Sequence, residues 1–340
     1  MHDTFPLPTF EYPGTPAVRD EAWWFDYVTL SVSVLACLWP PDGDDMWHCE
    51  LDGHWLDDAP GIFAAFTKML ETNALGEPTL DVAKFAHLDE AAGAAIFQGR
   101  GTLQMIPERV DLLRRVASTI TERWGGSARN LVEDSGRDGR AIATALSETM
   151  PAYQDRPTTE AGTLPFDKLS HLAAAIMAAG AGWSDGGFHG YDDFPVYPDY
   201  MLPRVLRHFG VLVYDAELAA AIDGQALIPA DSEHEHGLRW ATVFAGAELR
   251  RALLNRGVDV PSPGLDYRLW SEAVLGPQAA SFGEHHRTLT LRYCRISRRT
   301  QLGGHRAGAL TARHPLRHRL RSTVRSWRRI PTSTCRASIT

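Results

Sequence analysis

The sequence predicts a mainly helical protein, a single helical domain that carries one small β-hairpin. Two observations favour this fold class. Along several segments, apolar residues recur every three or four positions, which places them on one face of a helix. Between two short alternating segments stands Asp52-Gly53, the strongest short-range signal for a hairpin turn. The apolar fraction of 44% is ordinary for a globular protein, and 340 residues suffice for a substantial core.

The first fifty residues are predicted to contain an irregular start, a buried element and part of the hairpin. Residues 1–20 are rich in proline and lack apolar periodicity. Residues 21–38 are apolar enough for a buried helix, although their Val and Thr residues leave a strand open. Residues 46–55 alternate around the Asp52-Gly53 turn and predict a two-stranded ribbon.

Helical spacing then returns in most of the remaining body. Gly125 and Gly210 are placed to end two of these helices, and Asp215 is placed to cap the start of another. The last segment, residues 285–293, resembles a short strand or an extended end. The predicted helices cover residues 60–72, 104–123, 140–148, 165–178, 198–209, 215–223, 231–255 and 265–275.

Residues 194–210 contain the carboxylate that the sequence singles out, Asp199. Pro198 suits a first helical turn, where its missing N–H is not needed. Asp199 would then lie just inside the helix, where the free N–H groups and the helix dipole favour an ionised carboxylate. Tyr197 and Tyr200 flank it with flat aromatic faces. By pattern alone, such an aspartate is more often a partner of the helix dipole than a catalytic group.

Charge is distributed unevenly along the chain. Residues 294–340 contain twelve arginines and no Asp, Glu or Lys, whereas residues 1–293 contain 22 basic and 42 acidic residues, a balance of −20. So acidic a body repels a nucleic-acid backbone, and we expect it to have no stable nucleic-acid partner. The composition of the tail predicts disorder. A tRNA-binding arm is one interpretation of this tail, and a misframed or read-through extension explains the abrupt change more economically.

The sequence predicts neither a membrane segment nor a metal site. No apolar run reaches eighteen residues, and the most apolar stretch, residues 27–39, lies too far into the chain for a signal peptide. The four cysteines form no CxxC pair, and no histidine stands at a spacing that suggests zinc. We therefore expect a cytoplasmic protein, monomeric and without a cofactor.

Six blocks of sequence together resemble the queuosine salvage protein family, the queuosine 5′-phosphate N-glycosylases. Their order and spacing match over residues 22–293. The most specific block is the DY-x-LP-x-VL-x-H-x-G core that begins at Asp199. The six blocks are GGSARN (125–130), MPAYQD (150–155), LPFDKLSHL (164–172), YPDYMLPRVLRHFGVLVYDAEL (197–218), LDYRLW (265–270) and HHRTLTLRY (285–293).

The resemblance implies a helical body over residues 21–293, related in fold to helix-hairpin-helix DNA glycosylases and followed by the tail at residues 294–340. It also implies hydrolysis of the N-glycosidic bond of queuosine 5′-monophosphate, which releases queuine for reuse in tRNA modification. The chain departs from the family pattern at three positions. Met201 stands where arginine is common, and Val32 and Leu35 stand where aspartate and asparagine are frequent.

The catalytic aspartate of the family falls on Asp199, and the lysine of its F-x-K block falls on Lys168. The resemblance leaves open whether Asp199 stabilises positive charge on the sugar, attacks C1′ or deprotonates water. Lys168 is expected to hold the 5′-phosphate, with Arg287 as a second possibility. Asp266 is the candidate for the base or its cyclopentenediol. The aromatic residues expected at the substrate are Tyr197, Tyr200 and Trp270.

Two other functions remain open at this point. One is a glycosylase that acts on damaged bases within nucleic acid, against which the acidic body argues. The other is a non-catalytic carrier of queuine or its nucleotide, which would bind the base without turnover.

Overall fold

The computed structural model describes residues 3–4, 12–71, 80–159 and 162–291. Helices dominate these residues, so the predicted helical class is confirmed, whereas the DNA-glycosylase type stays a prediction. The helices are α1 (Glu21–Val32), α2 (Asp58–Glu71), α3 (Val82–Ala86), α4 (Glu90–Ile96), α5 (Ile106–Trp124), α6 (Ala128–Asp134), α7 (Gly139–Thr149), α8 (Lys168–Gly180), α9 (Met201–His208), α10 (Ala216–Asp223), α11 (Glu233–Leu254) and α12 (Ser262–Val274).

The strands are short and occur in pairs. The predicted hairpin is confirmed as β2 (Cys49–Leu51) antiparallel to β3 (His54–Leu56). Its turn residues, Asp52 and Gly53, both have positive φ, as this tight turn requires. The other pairs are β1 (Asp3–Thr4) parallel to β6 (Val258–Asp259), and β4 (Thr158–Thr159) antiparallel to β5 (Gly162–Thr163).

Helices α1 and α8 lie at the centre of the fold. Nearly every residue of both helices is buried, and the two helices pack against each other. α1 also contacts α2, α5 and α6, and α8 also contacts α7. A helix that is apolar on all sides is stable only when other helices surround it. α8 begins at Lys168, so this charged residue is buried at the N-terminus of a core helix.

The helix predicted over residues 21–38 ends at Val32, six residues earlier than expected. The residues that follow are buried yet irregular. Arg109 of α5, fully buried, donates hydrogen bonds to the carbonyl oxygens of Ala36 (2.9 Å) and Cys37 (2.8 Å), and also to Val34. One guanidinium therefore satisfies the acceptors that the helix would otherwise have paired, and the chain can leave the helix inside the core.

The predicted position of Asp199 inside a helix is wrong. α9 begins at Met201, and Pro198 and Asp199 precede it. The error has a simple cause, because a side chain that accepts hydrogen bonds from the first N–H groups of a helix must stand before them. The prediction that Gly210 ends this helix is confirmed, since Gly210 has φ +68° and its N–H donates to the carbonyl of Arg207.

Several other boundaries differ from the predictions. α8 begins at Lys168 rather than at residue 165, because Asp167 has φ +46° and cannot continue a helix. Residues 285–291 are extended, with a single parallel bridge between Leu227 and Arg287. Asp215 caps α10 as predicted. The tail of residues 294–340 lies outside the described residues, so the predicted division of the chain stays a prediction.

None of the helices that the structure describes is long and apolar enough to cross a membrane.

Candidate active site

A pocket lies where the starts of α2 and α8, the segment before α9 and the middle of α12 meet. Its empty space is about 450 Å³ when the open mouth is included. It contains six of the seven site residues that the sequence predicts. The pocket is lined by Tyr12, Leu35, Leu38, Asp58, Ala59, Lys168, Leu172, Tyr197, Asp199, Tyr200, Asp266 and Trp270.

Asp199 is held rigidly at the start of α9. Its Oδ1 atom accepts hydrogen bonds from the N–H groups of Met201 (2.8 Å) and Leu202 (3.0 Å). The side chain is only 10% exposed, and Oδ2 lies 3.9 Å from Nζ of Lys168. One carboxylate oxygen is thus fixed by the positive end of the helix, and the other is beyond hydrogen-bond distance of the lysine. The second oxygen is the one that can face a ligand.

Lys168 is positioned by both its backbone and its side chain. Its N–H donates to Oδ2 of Asp155 (3.1 Å), and Nζ donates to the carbonyl oxygen of Leu35 (3.2 Å). A buried ammonium at a helix start is unfavourable unless an anion is near, and Asp199 supplies that anion. Lys168 is the one basic side chain among the described residues that line the pocket.

The pocket holds three carboxyl groups beside this one ammonium. Burial, with a smaller contribution from the charge of Asp199, raises the pKa of Asp58 to about 7. Burial also raises the pKa of Asp266 well above its usual value, again with a contribution from Asp199. Both shifts favour protonated, neutral carboxyl groups. The Asp199–Lys168 pair is then the charged centre of a pocket that is otherwise close to neutral.

Aromatic rings form the wall of the pocket near α12. Trp270 packs edge-to-face against Tyr12, with ring centroids 5.0 Å apart. The backbone N–H of Tyr197 donates to Oδ1 of Asp266 (2.6 Å), which ties the aromatic segment before α9 to α12. Tyr200 packs against His285 with a centroid distance of 4.8 Å. The wall offers flat apolar faces beside a carboxyl group, an arrangement that suits a planar heterocycle.

A second buried ion pair, Asp155–Arg239, is hydrogen-bonded to the backbone next to Asp199 and to the backbone of Lys168. Arg239 of α11 donates to both carboxylate oxygens of Asp155, and its Nε donates to the carbonyl oxygen of Pro198 (3.0 Å). Arg239 is fully buried, and Asp155 is 3% exposed. Asp155 also accepts the N–H of Lys168. We call the pair Asp155–Arg239 the clamp, because it fixes the backbone on both sides of the charged centre.

Arg287, the seventh predicted residue, does not line the pocket. Its guanidinium donates to Asp42 (2.7 Å) and Gln225 (2.8 Å), and it lies over the ring of Trp39 at 5.4 Å. These contacts hold the guanidinium of Arg287 outside the residues that line the pocket.

The sequence did not single out two residues that line the pocket, Asp58 and Tyr12. An aspartate at the start of a helix is usually a cap, so the pattern around Asp58 carried no functional signal. Tyr12 belongs to the proline-rich start of the chain, and its contacts with residues distant in sequence, Trp270 and Tyr267 among them, bring it to the site.

The segment Gly182–Gly186 has the G-x-S-x-G spacing of a serine nucleophile, but not its structure. Its residues form a 3₁₀ turn after α8 rather than a strand-to-helix turn, and Ser184 is exposed and outside the pocket.

Comparisons with known proteins point to one family. The sequence model of the family described as queuosine salvage protein matches residues 17–293. A protein of Sphaerobacter thermophilus named queuosine 5′-phosphate N-glycosylase/hydrolase is 29% identical over 269 residues, which are 79% of this chain and 81% of the relative. A Mus musculus protein of the same name is 27% identical over 252 residues, with 71% and 72% covered. Because the family model matches residues 17–293, most of the sequence, this chain belongs to the queuosine salvage protein family.

Proposed function

We propose that this chain hydrolyses the N-glycosidic bond of queuosine 5′-phosphate and releases queuine for reuse in tRNA modification. One observation carries the proposal: a buried carboxylate, Asp199, is anchored by two helix N–H groups inside an enclosed aromatic pocket. The family match over residues 17–293 and the names of the relatives support it.

The position of Asp199 suits the charge that develops in this reaction. When the bond between C1′ and the base breaks, positive charge grows on the ribose ring, and a fixed carboxylate beneath C1′ stabilises it. Such a group is most effective where water is excluded and no reorganisation is needed. Because Met201 and Leu202 already hold Oδ1, the free Oδ2 can face the sugar without rearrangement. The same oxygen is available to attack C1′ or to accept a proton from water.

The other lining residues suit the remaining parts of the substrate. Lys168 and the start of α8 supply positive charge for the 5′-phosphate. A protonated Asp266 both donates and accepts hydrogen bonds, as the polar edge of a deazapurine or a diol requires. Stacking on an aromatic ring contributes about 1–3 kcal/mol per base, and Trp270, Tyr197 and Tyr200 offer such rings.

The direct test incubates the full chain with queuosine 5′-phosphate and follows free queuine by chromatography. Asp199→Asn should lower kcat by about 10²-fold or more, while the amide still accepts the helix N–H groups and the fold is kept. Asp215→Asn is the matched control, because Asp215 caps α10 in the same way but does not line the pocket. Full activity of Asp199→Asn would contradict the assignment of the catalytic group.

Two further results would replace the proposal. Binding of queuine without any turnover by the unaltered chain would indicate a carrier, and cleavage of lesion-containing duplexes would indicate a nucleic-acid glycosylase. The excess of acidic residues in residues 1–293 supports a small-molecule substrate instead. On the same basis we propose a cytoplasmic monomer without a nucleic-acid partner, which light scattering and a mobility-shift assay with tRNA can test.

A further inference from the structure

Asp58, the first residue of α2, presents a carboxyl oxygen that no protein group satisfies. The residue is 5% exposed. Its Oδ1 accepts the N–H of Ala59 (2.7 Å), whereas Oδ2 is buried and has no hydrogen-bond partner among the residues that the structure describes. Leaving a buried acceptor unpaired is destabilising. Because Asp58 lines the same pocket as Asp199, a ligand in that pocket is the group that can complete it.

The surroundings of Asp58 separate it chemically from Asp199. Asp199 is anchored by helix N–H groups and paired with Lys168, whereas burial raises the pKa of Asp58 to about 7. A carboxyl group with a raised pKa beside a second carboxyl group that is paired with a lysine is the arrangement of an acid and an electrostatic or nucleophilic group. The ionisable groups that face Asp58 are Tyr12, Asp57, Lys168, Asp199 and Arg204.

We propose that Asp58 is a second catalytic residue of the reaction proposed above, the acid that protonates the departing base. This inference rests on that proposed function. The C1′–N bond breaks and its electron pair stays on the base nitrogen, while the proton of the Asp58 carboxyl passes to the base. The oxygen of a water molecule bonds to C1′, and the proton that this water loses restores the carboxyl group through solvent. A deazapurine is a poor leaving group as an anion, so protonation of the base lowers the barrier to cleavage of the C1′–N bond.

Asp266 is less suited to this task, although it is also protonated. Its Oδ1 is engaged by the N–H of Tyr197, and it stands among the aromatic rings of α12. That position suits recognition of the outer edge of a flat base. Both residues face the Asp199–Lys168 pair, but Asp58 Oδ2 is buried and unpaired, whereas Asp266 has no such oxygen among the residues that the structure describes.

The test compares Asp58→Asn with Asp57→Asn in the release of queuine from queuosine 5′-phosphate between pH 5 and pH 9. Asparagine tolerates the left-handed backbone of Asp58 (φ +48°) and can still accept the N–H of Ala59, so the fold is kept. The protonated acid is the active form, so kcat/KM of the unaltered protein should fall as the pH rises through about 7. In Asp58→Asn, kcat should decrease by about 10²-fold, KM should change little, and this alkaline decrease should disappear. The half-exposed Asp57 is the matched control: its variant should keep the rate at pH 6 and should keep the alkaline decrease, which moves slightly to lower pH because the charge of Asp57 contributes to the raised pKa of Asp58.

A variant Asp58→Asn that keeps its rate within about threefold, or that keeps the alkaline decrease, overturns the inference. A second measurement needs no variant. Ribose 5-phosphate that carries a 4-nitrophenoxy group at C1′ releases 4-nitrophenolate, a leaving group that requires no proton, so the unaltered protein should hydrolyse it without the alkaline decrease. An equal decrease for both substrates also overturns the inference. If the unaltered protein releases no queuine at all, the proposed function fails first, whereas normal release with an active Asp58→Asn variant rejects only the role of Asp58.

Discussion

Replacing Arg239 by methionine should both destabilise the fold and slow the reaction. The guanidinium is fully buried and makes hydrogen bonds to both oxygens of Asp155, to Glu235 (3.3 Å) and to the carbonyl of Pro198 (3.0 Å). Methionine fills much of the same volume but supplies no donor. Arg239→Met therefore leaves two buried carboxyl groups without their cation and releases the backbone next to Asp199.

The magnitude follows from the burial of these groups. Removing one partner of a buried ion pair costs about 3–5 kcal/mol, because the remaining charge stays desolvated. The cost depends on pH through Glu235. The pKa of Glu235 is raised to about 7, because the effect of burial exceeds the opposing effect of the Arg239 charge. Without Arg239 the protonated form of Glu235 is favoured further, so part of the loss is relieved below pH 7. We expect a larger decrease of the unfolding free energy at pH 8 than at pH 6.

Urea denaturation followed by tryptophan fluorescence measures this decrease at both pH values. Arg251→Met is the matched control on the same helix, because Arg251 is exposed and pairs only with Glu248. This control should leave stability and activity unchanged. In Arg239→Met, the rate of queuine release at a temperature where the variant is folded should decrease, since the clamp no longer holds the backbone before Asp199.

A decrease below about 1 kcal/mol in Arg239→Met, with an unchanged dependence on urea concentration, would refute the argument from burial. A double-mutant cycle provides an independent check. Asp155→Asn and Arg239→Met remove the same contact, so the double variant should lose less than the sum of the single variants, by about 0.5–3 kcal/mol. Strict additivity would show that the two side chains are not coupled.

Two further predictions concern stability. Burial raises the pKa of Asp26 to about 7 from an ordinary value of 3.8, so ionisation of Asp26 destabilises the native state as the pH rises through this range. Asp26→Asn should therefore become more stable than the unaltered protein as the pH increases from 4 to 8, by at most about 4 kcal/mol; denaturation curves with no pH-dependent difference would contradict this. In α11, a Cβ atom added at Gly246 would lie 2.5 Å from a methyl carbon of Val196, whereas the space beside Gly237 is open. Gly246→Ala should lower the free energy of unfolding by about 1–3 kcal/mol. Gly237→Ala should raise it by up to about 1 kcal/mol. Equal effects of the two substitutions would show that the contact with Val196 does not limit the space at Gly246.

The elements that depend on neighbouring residues were predictable from the sequence. The apolar spacing of α5, the Asp52-Gly53 turn, the Gly210 helix end and the Asp215 cap are each specified by interactions within a few residues. The early end of α1 was not predictable in this way. It depends on Arg109, a residue more than seventy positions later, which satisfies the carbonyl groups that the helix leaves open.

By itself, the sequence predicted the helical class, the family resemblance and several residues that line the pocket, including Asp199, Lys168 and Asp266. Only the tertiary structure shows that Asp58 also lines the pocket and that Arg287 does not. It also decided which carboxyl groups have a raised pKa, because a pKa depends on burial and on charges contributed by distant parts of the chain. Spacing along the chain records local hydrogen bonds and periodicity, whereas desolvation and charge coupling exist only after the helices have packed together.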